Sequence, residues 1–146
     1  MSDRSAASGG LRRALAAIFL FGSLGTGAEL LLLDHVEDVW QQIPLVLMAL
    51  GCAALFVVEA RPSSVGVRIL QLTMIAFLAS GMLGIWLHYQ GNVEFELELQ
   101  PDAGGVALFW EAMKGATPAL APGTMALLGA IGLTYAYRHP AGTARS

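Results

Sequence analysis

Long apolar runs separated by short polar segments dominate this chain. Because a helix needs about 20 mostly apolar residues to cross the hydrocarbon core of a bilayer, each long run is a candidate transmembrane helix. Four runs qualify in the 146-residue sequence, and they cover residues 11–33, 43–59, 67–89 and 118–137. They are too long and too uniformly apolar for the alternating strands of an outer-membrane barrel. We therefore predict an all-α integral membrane protein with four transmembrane helices in a single domain, residues 1–146.

The long segment between the third and fourth runs, residues 90–117, has a different pattern. In NVEFELELQ, residues 92–100, apolar and polar positions alternate strictly, which predicts a β-strand. A lone strand leaves backbone groups unpaired, so we expect it to pair with a protein partner or a second copy of the chain. After Pro101, Asp102 is a suitable N-cap, VALFWEAMK predicts a short interfacial helix and Gly115 its end. The side chains expected to contact the partner are Glu94, Glu96, Glu98, Trp110 and Glu111.

The basic residues predict the orientation of the chain. With four spans, one side of the membrane carries Arg4, Arg12, Arg13, Arg61, Arg68, Arg138 and Arg145, and the other side carries Lys114. Short cytoplasmic loops are enriched in Lys and Arg, so both termini are expected in the cytoplasm, with the protein in a bacterial cytoplasmic membrane. Residues 1–28 also resemble a cleavable signal peptide. The apolar run continues to Leu33, however, which favours an uncut first helix.

Composition agrees with a membrane protein and narrows the function classes. The chain is 55% hydrophobic and 13% charged, with a mean hydropathy of +0.62, too apolar for an ordinary soluble domain of this size. Cys52 is the single cysteine, which excludes an internal disulfide and a CxxC redox pair. The sequence shows no nucleophile–base pair and no phosphate-binding glycine loop, and its basic residues give no sign of nucleic-acid binding. These absences favour a non-catalytic protein over an enzyme.

The predicted outer side is acidic and carries two of the three histidines, His35 and His88. Imidazole and carboxylate groups together bind divalent transition metals. Glycine-rich first and third spans are expected to pack closely, which would bring two segments of the outer side together. The candidate metal ligands are His35, His88, Asp34, Glu37, Asp38 and Glu94. A solvated acidic surface is the alternative interpretation, and a bis-histidine haem is a less favoured one.

Glu29 is the acidic residue well inside the first span, and ionisable residues in spans are functional candidates. It shares a helix face with Gly22 and Thr26, so we expect its side chain to point into the bundle. A four-span chain with one such carboxylate resembles the small multidrug-resistance exporters. That resemblance implies a dimeric, proton-coupled exporter with Glu29 as the proton carrier, whereas the long acidic outer loop departs from that family.

Three functions therefore remain open for this chain. The favoured one is a non-catalytic accessory subunit that binds a partner, and whose acidic, histidine-bearing outer side binds a divalent metal ion. The alternatives are a metal-dependent membrane enzyme subunit and the exporter.

Overall fold

The computed structural model of the protein describes residues 2–115 and 117–143, and every regular element in them is a helix. Arg145 lies outside the described residues, and so does the side chain of Arg4. The helices are α1 (Ser2–Leu32), α2 (Val39–Ala60), α3 (Ser64–Leu99), α4 (Gly105–Lys114), α5 (Gly123–Ala136) and α6 (Pro140–Thr143). The buried core lies between α1, α2, α3 and α5.

Three of these helices are long and apolar enough to cross a membrane, and they correspond to the first three predicted spans: Ser8–Leu32, Val39–Ala60 and Ser64–Leu99. The prediction of a fourth span is wrong, because α5 has 14 residues. At 1.5 Å per residue it is about 21 Å long, short of the ~30 Å hydrocarbon core. Pro118 and Pro122 account for its late start, since residues 118–122 form successive tight turns and Pro122 is the N-cap.

The predicted strand at residues 92–100 is also wrong, because residues 92–99 continue α3. Glu and Leu are good helix formers, and extending an existing helix avoids the cost of a new nucleus. In a helix, the apolar residues of this alternating pattern no longer share one face, because only residues four positions apart lie on the same side. Val93 and Leu97 are half-buried, whereas Phe95 and Leu99 are exposed. The alternation therefore produces two helix faces and leaves no sheet edge to be paired.

The 36 residues of α3 make a helix of about 54 Å, much longer than the hydrocarbon core. Its C-terminal part continues past Phe77, the last residue of α3 in the buried core, and α4 packs against this part through Tyr89 and Asn92. We call residues 88–114 the α3–α4 lobe. The short helix was correctly predicted, and so was its end at Gly115, but its N-cap is Gly104 and not Asp102. Gly105 has φ 62°, a conformation that glycine adopts without strain.

The closest backbone approach in the bundle is between α3 and α5. A Cβ atom added at Gly129 would lie 2.7 Å from the Met74 carbonyl oxygen, and one at Gly81 would overlap the Ala126 backbone. The predicted close packing of the first and third spans is therefore wrong, since the glycines of α3 face α5. Between α1 and α3, the rings of Phe19 and Phe77 are in contact, with centroids 5.6 Å apart.

The outer surface of the bundle is apolar. Large side chains that point away from the core include Phe21, Leu32 and Phe56, which are 83%, 85% and 73% exposed. A soluble protein rarely presents so much contiguous apolar surface, whereas lipid solvates it. The three long apolar helices and this exterior are together compatible with a membrane protein.

We expect Gly129→Ala to destabilise the bundle by about 1–3 kcal/mol, because the new methyl group meets the backbone of α3 and not a movable side chain. The measurement is the free energy of unfolding of the detergent-purified protein, followed by circular dichroism. Gly91→Ala is the matched control, since nothing lies within 4 Å of a Cβ atom there. This control should gain up to about 1 kcal/mol from helix propensity. A neutral Gly129→Ala variant would contradict the close approach.

Candidate functional site

The polar groups of the chain gather at the two ends of the bundle. One end holds His35 and His88, and we call it the histidine end. The other, the arginine end, carries the five arginines whose side chains the structure describes: Arg12, Arg13, Arg61, Arg68 and Arg138. The two ends differ in chemistry, so each is considered separately.

His35 is placed by the way in which α1 ends. Asp34 has φ 50°, and its N–H donates to the Leu31 carbonyl at 3.2 Å while the His35 N–H donates to the Leu30 carbonyl at 2.9 Å. This pair of hydrogen bonds is a Schellman motif with Asp34 in the left-handed position usually held by glycine. The conformation of Asp34 thus reverses the chain and sets the position of His35 beside α3.

Asp38 has a structural role as the N-cap of α2. Its Oδ1 accepts the Gln41 N–H at 2.9 Å, and the Gln41 side chain accepts the Glu37 N–H at 2.8 Å. This arrangement is close to a capping box. The spacing of Asp38 and Gln41 along the sequence is the signal from which the cap could have been predicted.

His88 faces His35 across a cleft of about 420 Å³ at the histidine end. The ring centroids of the two histidines are 6.3 Å apart, and Asp38 lies on the cleft wall. His88 Nδ1 is 3.3 Å from the Pro118 carbonyl oxygen. Because a carbonyl oxygen only accepts, this hydrogen bond places the proton of neutral His88 on Nδ1 and leaves the Nε2 lone pair free.

Asn92 is the residue at this end that sequence reasoning missed. Its side chain is 2% exposed, and its Nδ2 donates to the carbonyls of Ala112 at 2.8 Å and Thr117 at 2.7 Å. Its Oδ1 accepts from the Thr117 N–H at 3.1 Å and the Thr117 hydroxyl at 2.6 Å. One amide thus joins α3, α4 and the segment before Pro118. The sequence holds one indication of the role of Asn92. It follows His88 by four residues, so both side chains lie on the same face of a helix.

The structure brings together some of the predicted metal ligands. His35, His88 and Asp38 line the same cleft, whereas Asp34, Glu37 and Glu94 are exposed and do not line it. Within residues 2–115 and 117–143, no group of three or more His, Cys, Asp or Glu side chains lies close enough to hold a metal ion. The arrangement therefore offers a pair of imidazoles, with Asp38 engaged in capping α2.

The residues predicted to contact a partner lie on the α3–α4 lobe. Glu94 and Glu98 are exposed on one face of α3, and Glu96 is half-buried. Trp110 is 57% exposed and packs edge-on against Phe109, with ring centroids 5.4 Å apart. Glu111 Oε1 accepts from Lys114 Nζ at 2.9 Å, as its spacing predicts.

Glu29 lies elsewhere, on the exposed surface of α1. The expectation that its side chain points into the bundle is wrong for this chain by itself. The reason is that α1 buries a different stripe, which includes Phe19 and Ser23, and Glu29 is not on that stripe.

At the arginine end, hydrogen bonds join α1 and α2 to the C-terminal end of α5. Arg12 Nη2 donates to the Arg138 carbonyl at 2.9 Å, which links α1 to the chain after α5. The Tyr135 hydroxyl donates to Glu59 Oε1 at 2.6 Å. Burial lowers the pKa of His139, the nearby Arg12 guanidinium lowers it further, and Glu59 acts in the opposite direction.

Replacing Asn92 should loosen the α3–α4 lobe. In Asn92→Leu, the Ala112 carbonyl loses a buried hydrogen bond and Thr117 loses three part-buried ones. Each group left buried and unsatisfied costs about 1–3 kcal/mol. We expect faster hydrogen exchange in α4 and faster proteolysis of residues 100–104. Gln90→Leu is the matched control, because Gln90 makes no side-chain hydrogen bond to any other residue that the structure describes. Equal protection of α4 in the two variants would contradict the role of Asn92.

The lowered pKa of His139 predicts a pH dependence of stability. The unfolded chain has the ordinary value of 6.5, so it binds more protons than the folded chain as the pH falls below this value. His139 therefore contributes its full stability above pH 6.5 and loses it in more acidic solution. We expect the Tm of the wild type to fall more steeply between about pH 6.5 and 5 than that of His139→Gln. Parallel pH profiles would show that His139 has no such effect.

Comparisons of this chain with protein families, with curated proteins and with solved structures found no match. The observations that bear on function are therefore the chain's own residues. Foremost among them are the facing histidines at one end and the arginines at the other.

Proposed function

We propose that the chain is a small polytopic membrane protein that binds a divalent transition-metal ion at the histidine end, through His35 and His88. The observation that carries this proposal is the pair of imidazole rings that face each other across one cleft from separate segments of the chain. In this proposal the protein is a non-catalytic accessory subunit.

The ring separation fits one shared ion. Metal–nitrogen distances are about 2.0–2.1 Å, so two imidazoles on one ion have ring centroids roughly 5–6.5 Å apart. The observed distance is 6.3 Å, which lies within this range. Imidazole suits zinc, copper, iron and nickel better than the hard cations calcium and magnesium.

The surroundings of His88 also support metal binding. A ligating histidine almost always donates its second ring N–H to a carbonyl or carboxylate, which orients the ring and makes it more basic. The Pro118 carbonyl takes this role for His88, and the Asn92–Thr117 hydrogen bonds hold the segment that leads to it. Acidic side chains close to His35, on Asp34 and Glu37, add an attractive field for a cation.

Two protein ligands leave the remaining coordination positions open to water or to a donor from a partner protein. An open, weakly held ion suits a carrier or an accessory subunit that presents metal to a partner. The exposed acidic and aromatic residues of the α3–α4 lobe lie at this same end and would contact that partner. The arginine end would face the cytoplasm of a bacterial cell, following the preference of basic residues for that side.

Metal content of the detergent-purified protein tests the proposal. We expect about one Zn, Cu or Co ion bound per chain at saturation in an equilibrium titration, with affinity lower by at least about tenfold in His35→Ala and in His88→Ala. His139→Ala is the matched control, since it removes the remaining histidine at the opposite end of the bundle and should bind metal like the wild type. Asp38→Asn keeps the N-cap and shows whether this carboxylate contributes to the affinity.

Cobalt adds a spectroscopic test, because visible absorbance reports the nitrogen ligands directly. Equal metal binding by the wild type and the His35→Ala/His88→Ala double variant would refute the proposed site. A stoichiometric Soret band with added haemin, in protein that takes up no free metal ion, would also refute it and would favour the haem alternative.

A further inference from the structure

A second cleft lies at the arginine end, between the start of α3 and the chain that follows α5. Its volume is about 240 Å³. Helix α3 contributes Ser64, Arg68 and Gln71 to its lining. The α5–α6 connection contributes Arg138 and His139. The cleft therefore joins two segments that are far apart in sequence.

Every ionisable group that lines this cleft, among residues 2–115 and 117–143, is basic. Arg68 and Arg138 are permanently charged, and Ser64 and Gln71 add neutral hydrogen-bond donors. No carboxylate of the described residues lines the cleft. In the part of the chain that the structure describes, the only ion pair joins Lys114 and Glu111, so neither Arg68 nor Arg138 has an acidic partner. Two guanidinium groups beside one cleft are thus available to an external anion.

The second arginine is held by its own backbone geometry. Arg138 has φ 47°, a strained conformation for a residue other than glycine, and its carbonyl accepts the hydrogen bond from Arg12. Its guanidinium carbon lies 5.5 Å from the centroid of the Tyr137 ring. Strained residues that the surrounding structure holds in place concentrate at functional sites.

From this geometry we propose that the cleft binds the phosphate group of an anionic ligand, either a phospholipid headgroup or free phosphate, through Arg68 and Arg138. Guanidinium groups form strong, paired hydrogen bonds with phosphate oxygens. Arg68 lies in the second turn of a helix that is a candidate membrane span, and Arg138 directly follows an apolar helix. The cleft is therefore at the depth where lipid headgroups occur, and basic pockets between helices at this depth bind them.

The neighbouring cleft at the same end provides an internal comparison. It is lined by Arg12 and Arg13 but also by Glu59, whose carboxylate would repel an anion. Arg13 and Arg68 are both exposed arginines at the same end of the bundle. Arg68→Gln and Arg13→Gln thus remove the same charge from two adjacent clefts, and the cleft at Arg13 has the Glu59 carboxylate in its lining.

The experiment measures the Tm of the full chain in a non-ionic detergent, with phosphatidylglycerol, phosphatidylcholine or inorganic phosphate titrated in, and counts bound lipids by native mass spectrometry. Phosphatidylglycerol should raise the Tm of the wild type and of Arg13→Gln. In Arg68→Gln the apparent dissociation constant should increase about five- to tenfold. Arg138→Gln should behave in the same way.

The controls distinguish a lipid headgroup from free phosphate as the source of the phosphate group. They also distinguish binding at this cleft from a general attraction of anions to the basic end. Inorganic phosphate acting alone, with the same dependence on Arg68, would support the site and identify free phosphate as its ligand. Equal weakening in Arg13→Gln and Arg68→Gln would refute the proposal, because it would show general attraction to the basic end. Equal effects of phosphatidylcholine and phosphatidylglycerol would also refute it. Arg68 is exposed, and lipid counting reads binding directly, so a change in folding stability cannot be mistaken for lost binding.

Discussion

The close backbone contact between α3 and α5 is the constraint on which the rest of the structure depends. Glycines at positions 81 and 129 remove the side chains that would keep the two helices apart. In lipid, where apolar side chains gain little by leaving the solvent, such close packing is a main source of helix association. The contact fixes α5 along α3, and therefore fixes both connections that leave α5. One reaches His88 through Pro118, and the other carries Arg138.

Helix α3 is the common scaffold of the two candidate sites. It carries Arg68 near its first turn and His88 near the level where it leaves the apolar bundle, so one rigid element positions both. The two sites require opposite chemistry, imidazoles among acidic residues at one end and guanidinium groups without acidic partners at the other. Keeping them at opposite ends of a long helix prevents the acidic residues of one site from neutralising the arginines of the other.

The α3–α4 lobe shows how a single buried polar group can organise a segment outside the bundle. Asn92 uses both amide hydrogens and its carbonyl oxygen, so its burial leaves no polar atom unsatisfied. Apolar burial in this lobe is small, because several of its aromatic side chains are exposed. Directional hydrogen bonds therefore hold the segments of the lobe together, whereas close packing holds the bundle together.

The sequence by itself determined the elements whose signals are local. Long apolar runs predict four spans, of which three are helices that can cross a membrane and the fourth contains the shorter α5. Gly115 correctly marks the end of α4. The arginines whose side chains the structure describes lie at one end of the bundle, and the side of the membrane that this end faces stays a prediction. Tertiary structure determined the features that depend on contacts with other parts of the chain. Residues 92–99 became helix because α3 was already formed, although their alternation fits a strand equally well. Pro118 and Pro122 delay the start of α5 and so shorten it. Several helices carry glycines, and tertiary packing determined that the glycines of α3 contact α5. The Asp38 carboxylate caps α2. His35 lies beside His88 because Asp34 reverses the chain. The α3–α5 contact and the meeting of His35 with His88 join distant segments, so no pattern within one segment specifies them. The Asp38 cap and the proline turns are local, and their signals are present in the sequence.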